Sequence, residues 1–266
     1  MTAQGAGMPG FSANLGFLWT DLLLPDAIRA AARAGFAAVE CHWPYDTPPE
    51  AVLAALRETG LPMLSLNTRR GDVAAGDNGL AALPGREPEA RADIDEALDY
   101  AAALDAQAVH VMAGNAAGPE ARATFLANLR YACDRAAGRM ILIEPLNRHD
   151  APGYFLRTTD QAREIIADIA APNLKLMFDC YHVGRTEGDV TTRLTDLLPL
   201  IGHVQFAGVP DRGPPDRGEL HYPTIFAALD ALGWTRSLGA EYRPDGATEA
   251  GLGWMRDAAP PQPSAA

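Results

Sequence analysis

The sequence predicts an α/β fold, a (β/α)8 TIM barrel, from three observations. Strand-length apolar runs alternate eight times with helix-length segments of 3.6-residue periodicity. The returns between them are short, and no linker divides the chain. Four successive strand candidates each carry one oxygen-bearing side chain at or near the end: Met140-Ile141-Leu142-Ile143-Glu144, Leu176-Met177-Phe178-Asp179, His203-Val204-Gln205-Phe206 and Leu238-Gly239-Ala240-Glu241. In such a barrel the C-terminal strand ends share one face, where active sites sit. A doubly wound sheet also alternates, but no GxGxxG follows the first strand and no Walker-type glycine loop is present.

In order, the first strand is read at residues 11–17, followed by a helix over 25–34 that stops at Gly35. Residues 38–43 form the second strand. Thr47 is read as the cap of the next helix, with proline at its first position and Glu50 at its third; the helix ends at Gly60. The third strand is 61–67. Residues 68–86, rich in Gly, Ala and Asp, are long for a connection and predict a lid or binding loop. Ile94, Ala97, Leu98 and Ala101 share a face of a helix over 87–104. The fourth strand is 108–112, and a helix over 119–137 is closed by Gly138. After the fifth strand, Thr158 and Gln161 form a second capping box, opening a helix with Ala162, Ile165, Ile166 and Ile169 on one face. Strands at 174–179, 202–207 and 237–241 alternate with helices over 190–200, 223–232 and 248–257. The single barrel domain is thus placed at residues 11–257, with residues 1–10 and 258–266 as flexible termini.

The 266 residues carry a formal net charge of -12 and a pI of about 4.9, which disfavours a nucleic-acid backbone or an anionic membrane surface as the main partner. A small anion remains accessible, because one arginine can hold it locally. Cys41, Cys133 and Cys180 are odd in number and form no CxxC pair, which predicts a reduced, cytoplasmic protein with buried thiols. No run approaches a membrane span, and no signal peptide is read at the N-terminus.

The strand-end residues Glu144, Asp179, Gln205 and Glu241 would meet in one pocket. Three carboxylates there repel one another and lose solvation, and a divalent cation resolves both problems. An all-oxygen set selects Mg²⁺ or Mn²⁺. A purely structural ion network would need cationic partners that these strands do not supply. His182, three residues past Asp179, is placed to reach a substrate oxygen. Glu40 and His42 end the second strand at the same mouth. His110 is read either there or as a core residue, and His149, His203 and His221 as structural. Arg212, in the loop after the seventh strand, is the candidate for gripping a carboxylate bidentately.

The segments LNTRRGDVAAGDNGLAALPGREPEARADIDEALDYA, VHVMAG, EPLNRHDAPGYFLRTTDQA and FDCYH resemble hydroxypyruvate isomerase and its close relatives among the xylose isomerase-like barrels. The resemblance spans nearly all of residues 11–254, departing at CHWPYD and within VPDRGPPDRGELHY. It implies metal ligands at Glu144, Asp179, Gln205 and Glu241, a proton donor and acceptor pair in Glu144 and Glu241, and substrate contacts from His182 and Arg212. The expected activity is a metal-dependent isomerisation of a small hydroxy-oxo acid through an enediolate, hydroxypyruvate to 2-hydroxy-3-oxopropanoate. The alternatives are a 2-oxo-tetronate isomerase, a ketose 3-epimerase and a non-catalytic sugar-acid-binding protein. A DNA repair endonuclease is disfavoured by the acidic charge, and a homo-oligomer is left open.

Overall fold

Period-two alternation decides which side chains of each strand face which way. Met140 and Leu142 gather with Ala108 and Met177 into a small cluster of their own. Ile141, Ile143, Leu174, Leu176 and Phe178, from the alternate positions, join the main hydrophobic core. The first set points into a barrel and the second outward against helices. This computed structural model describes residues 10–257; the flexible termini expected over 1–9 and 258–266 lie outside the described residues.

The elements run β1 (Phe11–Asn14), α1 (Leu24–Arg33), β2 (Ala38–Glu40), α2 (Pro49–Thr59), β3 (Ser65–Asn67), α3 (Glu87–Leu104), β4 (Ala108–His110) and α4 (Gly118–Arg135). They continue with β5 (Met140–Ile143), α5 (Thr159–Ile169), β6 (Leu174–Asp179), α6 (Cys180–Thr186), α7 (Val190–Leu197), β7 (Ile201–Phe206), α8 (Tyr222–Ala231), β8 (Leu238–Ala240) and α9 (Trp254–Asp257). The eight strands are parallel and ordered β2-β1-β8-β7-β6-β5-β4-β3. A bridge between Val39 and Met63 joins the two outer strands. There the Val39 N–H donates to Pro62 O at 3.0 Å and the Leu64 N–H to Val39 O at 2.8 Å. The (β/α)8 TIM barrel is thereby closed, with every strand end on one rim.

Several local expectations are corrected. Pro48, without a side-chain hydrogen bond, occupies the cap of α2, so Thr47 lies one residue too early. Thr158 does cap α5, accepting from the Gln161 N–H, but the Gln161 side chain accepts from the Arg157 N–H and not from Thr158. Pro199 ends α7 in a 3-10 turn, Leu198–Leu200. The last predicted helix is broken into a 3-10 turn, Thr248–Gly251, and the four-residue α9. Helix α6 was not foreseen. It starts straight off β6 because the Asp179 Oδ1 accepts the Tyr181 N–H at 2.8 Å, making one residue both strand end and helix cap.

Among the described residues no helix is long and apolar enough to cross a membrane. All three cysteines are free and buried.

Candidate active site

The inward positions of β5 to β8 lead to the rim. Glu144 follows Met140 and Leu142, Asp179 follows Met177, Gln205 follows His203, and Glu241 follows Gly239 in steps of two. All four site residues are buried, with 1–6% of each exposed. Gly239 makes room for the set: a Cβ there would stand 2.7 Å from Glu40 Oε1 and 2.8 Å from Gln205 Cγ. Gly16 likewise leaves the space that the His42 ring fills.

Beneath the rim lies a polar floor. Glu40 is 1% exposed and does not line the open cavity, which corrects its expected place at the mouth. Its carboxylate accepts from Ser12 Oγ at 3.3 Å, Asn14 Nδ2 at 3.0 Å and Gln205 Nε2 at 2.9 Å, and pairs with His203 Nε2 at 2.5 Å. With its amide nitrogen held by Glu40, Gln205 must turn its Oε1 the other way. His203, read as structural, thus anchors a residue that orients the site. The sequence signal for this floor was Ser12 and Asn14, polar side chains two apart in an otherwise apolar strand.

Glu241 is the most tethered carboxylate. Its Oε1 accepts from Asn14 Nδ2 at 2.9 Å and contacts His42 Nε2 at 2.8 Å, while Oε2 pairs with Arg212 Nη2 at 2.5 Å. The same Arg212 nitrogen stands 3.6 Å from Asp179 Oδ2. Arg212 therefore supplies the cationic partner that the strands lack. Backbone hydrogen bonds tie its loop down: the Gly208 N–H donates to Gly213 O, the Glu219 N–H to Val209 O and the Arg243 N–H to Arg212 O.

Burial opposes ionisation at every carboxylate here, and the partners decide the net result. Burial raises Glu144 well above the usual range, and negative Glu241 and Asp179 push it further. Asp179 is pushed up to about 7 by burial, against the pull of Arg212. At Glu241 the effect of burial is overridden by Arg212 and His42, which hold it below the usual range. Burial also lowers His182 to about 3, with Arg212 adding to the shift, and lowers His110 to about 4. Both rings are neutral at pH 7.

Glu144, Asp179 and His182 each offer an atom lying within 4.8 Å of the others. Glu144 Oε1, Asp179 Oδ2, Gln205 Oε1 and His182 Nε2 are buried without a hydrogen-bond partner among the described residues, a state that normally costs about 1–3 kcal/mol per group. The three oxygens suit a hard divalent cation, and Glu241 can join through a second lone pair. His182 differs. The Asn147 backbone N–H donates to its Nδ1 at 2.9 Å, which leaves the proton of the neutral ring on Nε2. His182 thus presents an N–H to the cavity and not a lone pair. Because Glu40 fixes the Gln205 amide, Glu40→Gln is expected to weaken Mn²⁺ binding about 10- to 100-fold, the usual cost of losing an outer partner. Calorimetric titration checks this, and unchanged affinity would mean that Gln205 needs no such anchor.

The cavity above these groups measures about 260 Å³. It is lined by the predicted His42, Glu144, His182, Arg212 and Glu241, and by His110, whose Nδ1 lies 3.7 Å from Glu144 Oε2. Phe17, Trp43, Asn67, Arg70, Asn78, Asp150 and Arg243, none of them singled out in the sequence, also line the cavity, with Met112, Leu146 and Ala151. Asn67, Arg70 and Asn78 belong to β3 and the long loop after it, whose length was the one available signal.

The profile of the family described as "Xylose isomerase-like TIM barrel" matches residues 28–258. The chain is 46% identical over 255 residues to 2-oxo-tetronate isomerase of Cupriavidus necator, covering 94% of this chain and 98% of that one. It is 38% identical over 251 residues to hydroxypyruvate isomerase of Escherichia coli, covering 92% and 97%. The crystal structure of a protein named AP endonuclease, family 2, from Brucella melitensis superposes with a TM-score of 0.91 at 39% identity, covering 95% of this chain and all of that one. Matched along nearly its whole length by isomerases of this fold, the chain belongs to the xylose isomerase-like TIM barrel family.

Proposed function

We propose that this enzyme isomerises a small hydroxy-oxo acid, 2-oxo-tetronate or hydroxypyruvate, through an enediolate, using Mg²⁺ or Mn²⁺. One observation carries the reading: unpartnered oxygens of Glu144, Asp179 and Gln205 and the Nε2 of His182 lie buried at the strand ends, with Glu144, His182 and Glu241 lining the cavity above. The greater identity to the 2-oxo-tetronate isomerase makes the four-carbon acid the first substrate to test.

Both acids carry the carboxylate on C2 and interconvert a carbonyl and a hydroxyl between C2 and C3. A carboxylate of the Glu144 and Glu241 pair takes the C3 proton, leaving the enediolate, and a proton returns at C2. The hydroxyl proton moves from O3 to O2, so the sum is a balanced isomerisation. Glu144, Asp179, Gln205 and Glu241 would hold the cation, which when bound supplies Lewis-acid charge for the two substrate oxygens. His182 directs its Nε2–H at the oxygen that gains negative charge. Phe17 and Trp43 at the mouth limit the water that could quench the intermediate.

The name of the Brucella relative, an AP endonuclease, favours a second reading, incision of DNA at abasic sites. A net charge of -12 works against a nucleic-acid backbone. The deciding experiment assays 2-oxo-tetronate, hydroxypyruvate, neutral three- to six-carbon ketoses and abasic-site DNA with Mg²⁺ and with Mn²⁺. The acids are expected to give the highest kcat/KM. Preference for a neutral ketose would replace the reading with epimerisation, and DNA incision without isomerisation would replace it with the nuclease.

A further inference from the structure

We infer that Arg70 grips the carboxylate of the substrate and so selects acids over neutral ketoses, an inference that rests on the functional reading above. A carboxylate entering this cavity approaches Glu144, Glu241 and Asp150 in its wall and the buried Asp179 behind them. The cation already among them, Arg212, has one terminal nitrogen engaged by these carboxylates, and its Nε is buried without a partner among the described residues. Its Nη2 faces Glu241 and Asp179, and its guanidinium lies over the Phe17 ring at 4.7 Å and the Tyr181 ring at 5.1 Å. In the metal-free chain Arg212 is the counter-charge of Glu241. A second cation nearer the mouth can take the carboxylate without disturbing that pair.

Arg70 and Arg243 are the arginines of the cavity wall that form no ion pair among the described residues. They differ in how they are held. Arg243 is exposed, and its side chain makes no hydrogen bond among the described residues. Arg70 is half-buried and fixed on two sides. Its Nε donates to Asn78 Oδ1 at 3.0 Å, and its guanidinium sits 5.0 Å from the centre of the Trp43 ring. Trp43 is in turn held by its Nε1, which donates to Thr68 O at 3.1 Å. The Arg70 carbonyl accepts the Gly79 N–H at 2.8 Å, joining the start of the loop to its middle. Asp77, the nearest acidic residue of this loop in sequence to Asn78, is paired with Arg86 at 2.7 Å and does not compete.

With Nε occupied, both terminal nitrogens of Arg70 are without a hydrogen-bond partner among the described residues. They form a planar, oriented fork that matches a carboxylate, and holding it requires little further loss of side-chain freedom. The stack on Trp43 keeps the guanidinium from folding back onto the acidic centre. The long loop thereby acquires a role: it delivers the positive charge that the acidic strand ends cannot provide.

The test compares wild type, Arg70→Ala, Arg70→Lys and Arg243→Ala on hydroxypyruvate, 2-oxo-tetronate and a neutral four-carbon ketose. Arg70→Ala is expected to raise KM for the acids about 10- to 100-fold, the value of a charge-assisted contact. Its effect on the neutral ketose should be several-fold smaller. Arg70→Lys keeps the charge without the fork and should fall between wild type and Arg70→Ala, which also controls for collapse of the loop. Equal losses on acid and neutral substrates would overturn the assignment, because Arg70 would then only shape the loop. So would the larger acid-specific loss in Arg243→Ala. Failure of the wild type on both acids would remove the functional reading itself and this inference with it.

Discussion

Glu144→Gln and Glu241→Gln are each expected to lower kcat by about 10²- to 10⁴-fold, the usual contribution of a positioned proton-transfer group. The two variants should differ in everything else. Glu144 has no hydrogen-bond partner at Oε1 and is pushed toward its protonated form by burial and by its neighbours. A neutral amide relieves that repulsion, so the melting temperature of metal-free Glu144→Gln should equal or exceed that of wild type. Glu241 holds Asn14, His42 and Arg212. Glu241→Gln leaves a buried guanidinium short of its counter-charge and should lower the melting temperature as well as kcat. Rate measurements with calorimetric melting separate the two cases. Activity in D₂O adds a check, because an exchangeable enediolate places solvent deuterium at the carbon that regains the proton. Wild-type rates in either variant would remove that glutamate from the proton transfer.

Asp179→Asn is expected to weaken Mn²⁺ binding by about 100-fold or more, beyond what loss of an outer partner costs. The fold should survive, since asparagine serves as well as aspartate at the cap that starts α6. Wild-type affinity should also depend on pH. Glu144 is raised and Asp179 is pushed up to about 7, so a cation must displace protons below that value. Affinity should therefore climb as pH rises from 6 toward 8, by about tenfold per unit for each proton displaced. The stability of the metal-free chain runs the opposite way. An unfolded aspartate titrates at about pH 3.9, and the folded one holds its proton more tightly. Stability is thus lost as pH rises from about 3.9 to 7, and Mn²⁺ should restore it most at the alkaline end. Titration calorimetry and melting curves at pH 6, 7 and 8 measure both trends. A flat affinity profile together with an unaffected Asp179→Asn variant would take Asp179 out of the site.

The eight-fold alternation and the oxygen-bearing residues at successive strand ends were legible because both are periodic along the chain. Burial on one side of a strand or helix repeats every two or 3.6 residues, and the repeat survives in the sequence. Helix α6 was not legible, because its cap is Asp179, a residue already counted as a strand end. Neither was the break before α9, where spacing continues although the backbone does not.

The sequence by itself determined the barrel, and it named Glu144, Asp179, Gln205 and Glu241 as residues that one rim would gather. Tertiary structure alone decided what each can do. Glu40 drops below the cavity because His203 and Gln205, from a strand about 160 positions away, hold it there. Arg212, which the chain places in a loop, reaches into the cavity and pairs with Glu241, while Arg70 and Arg243 line the same cavity without an ion pair among the described residues. Proton position on His182 is set by the backbone N–H of Asn147. Charge state, tautomer and free hydrogen-bonding capacity depend on neighbours distant in sequence, and a periodic pattern carries no record of which neighbours those are.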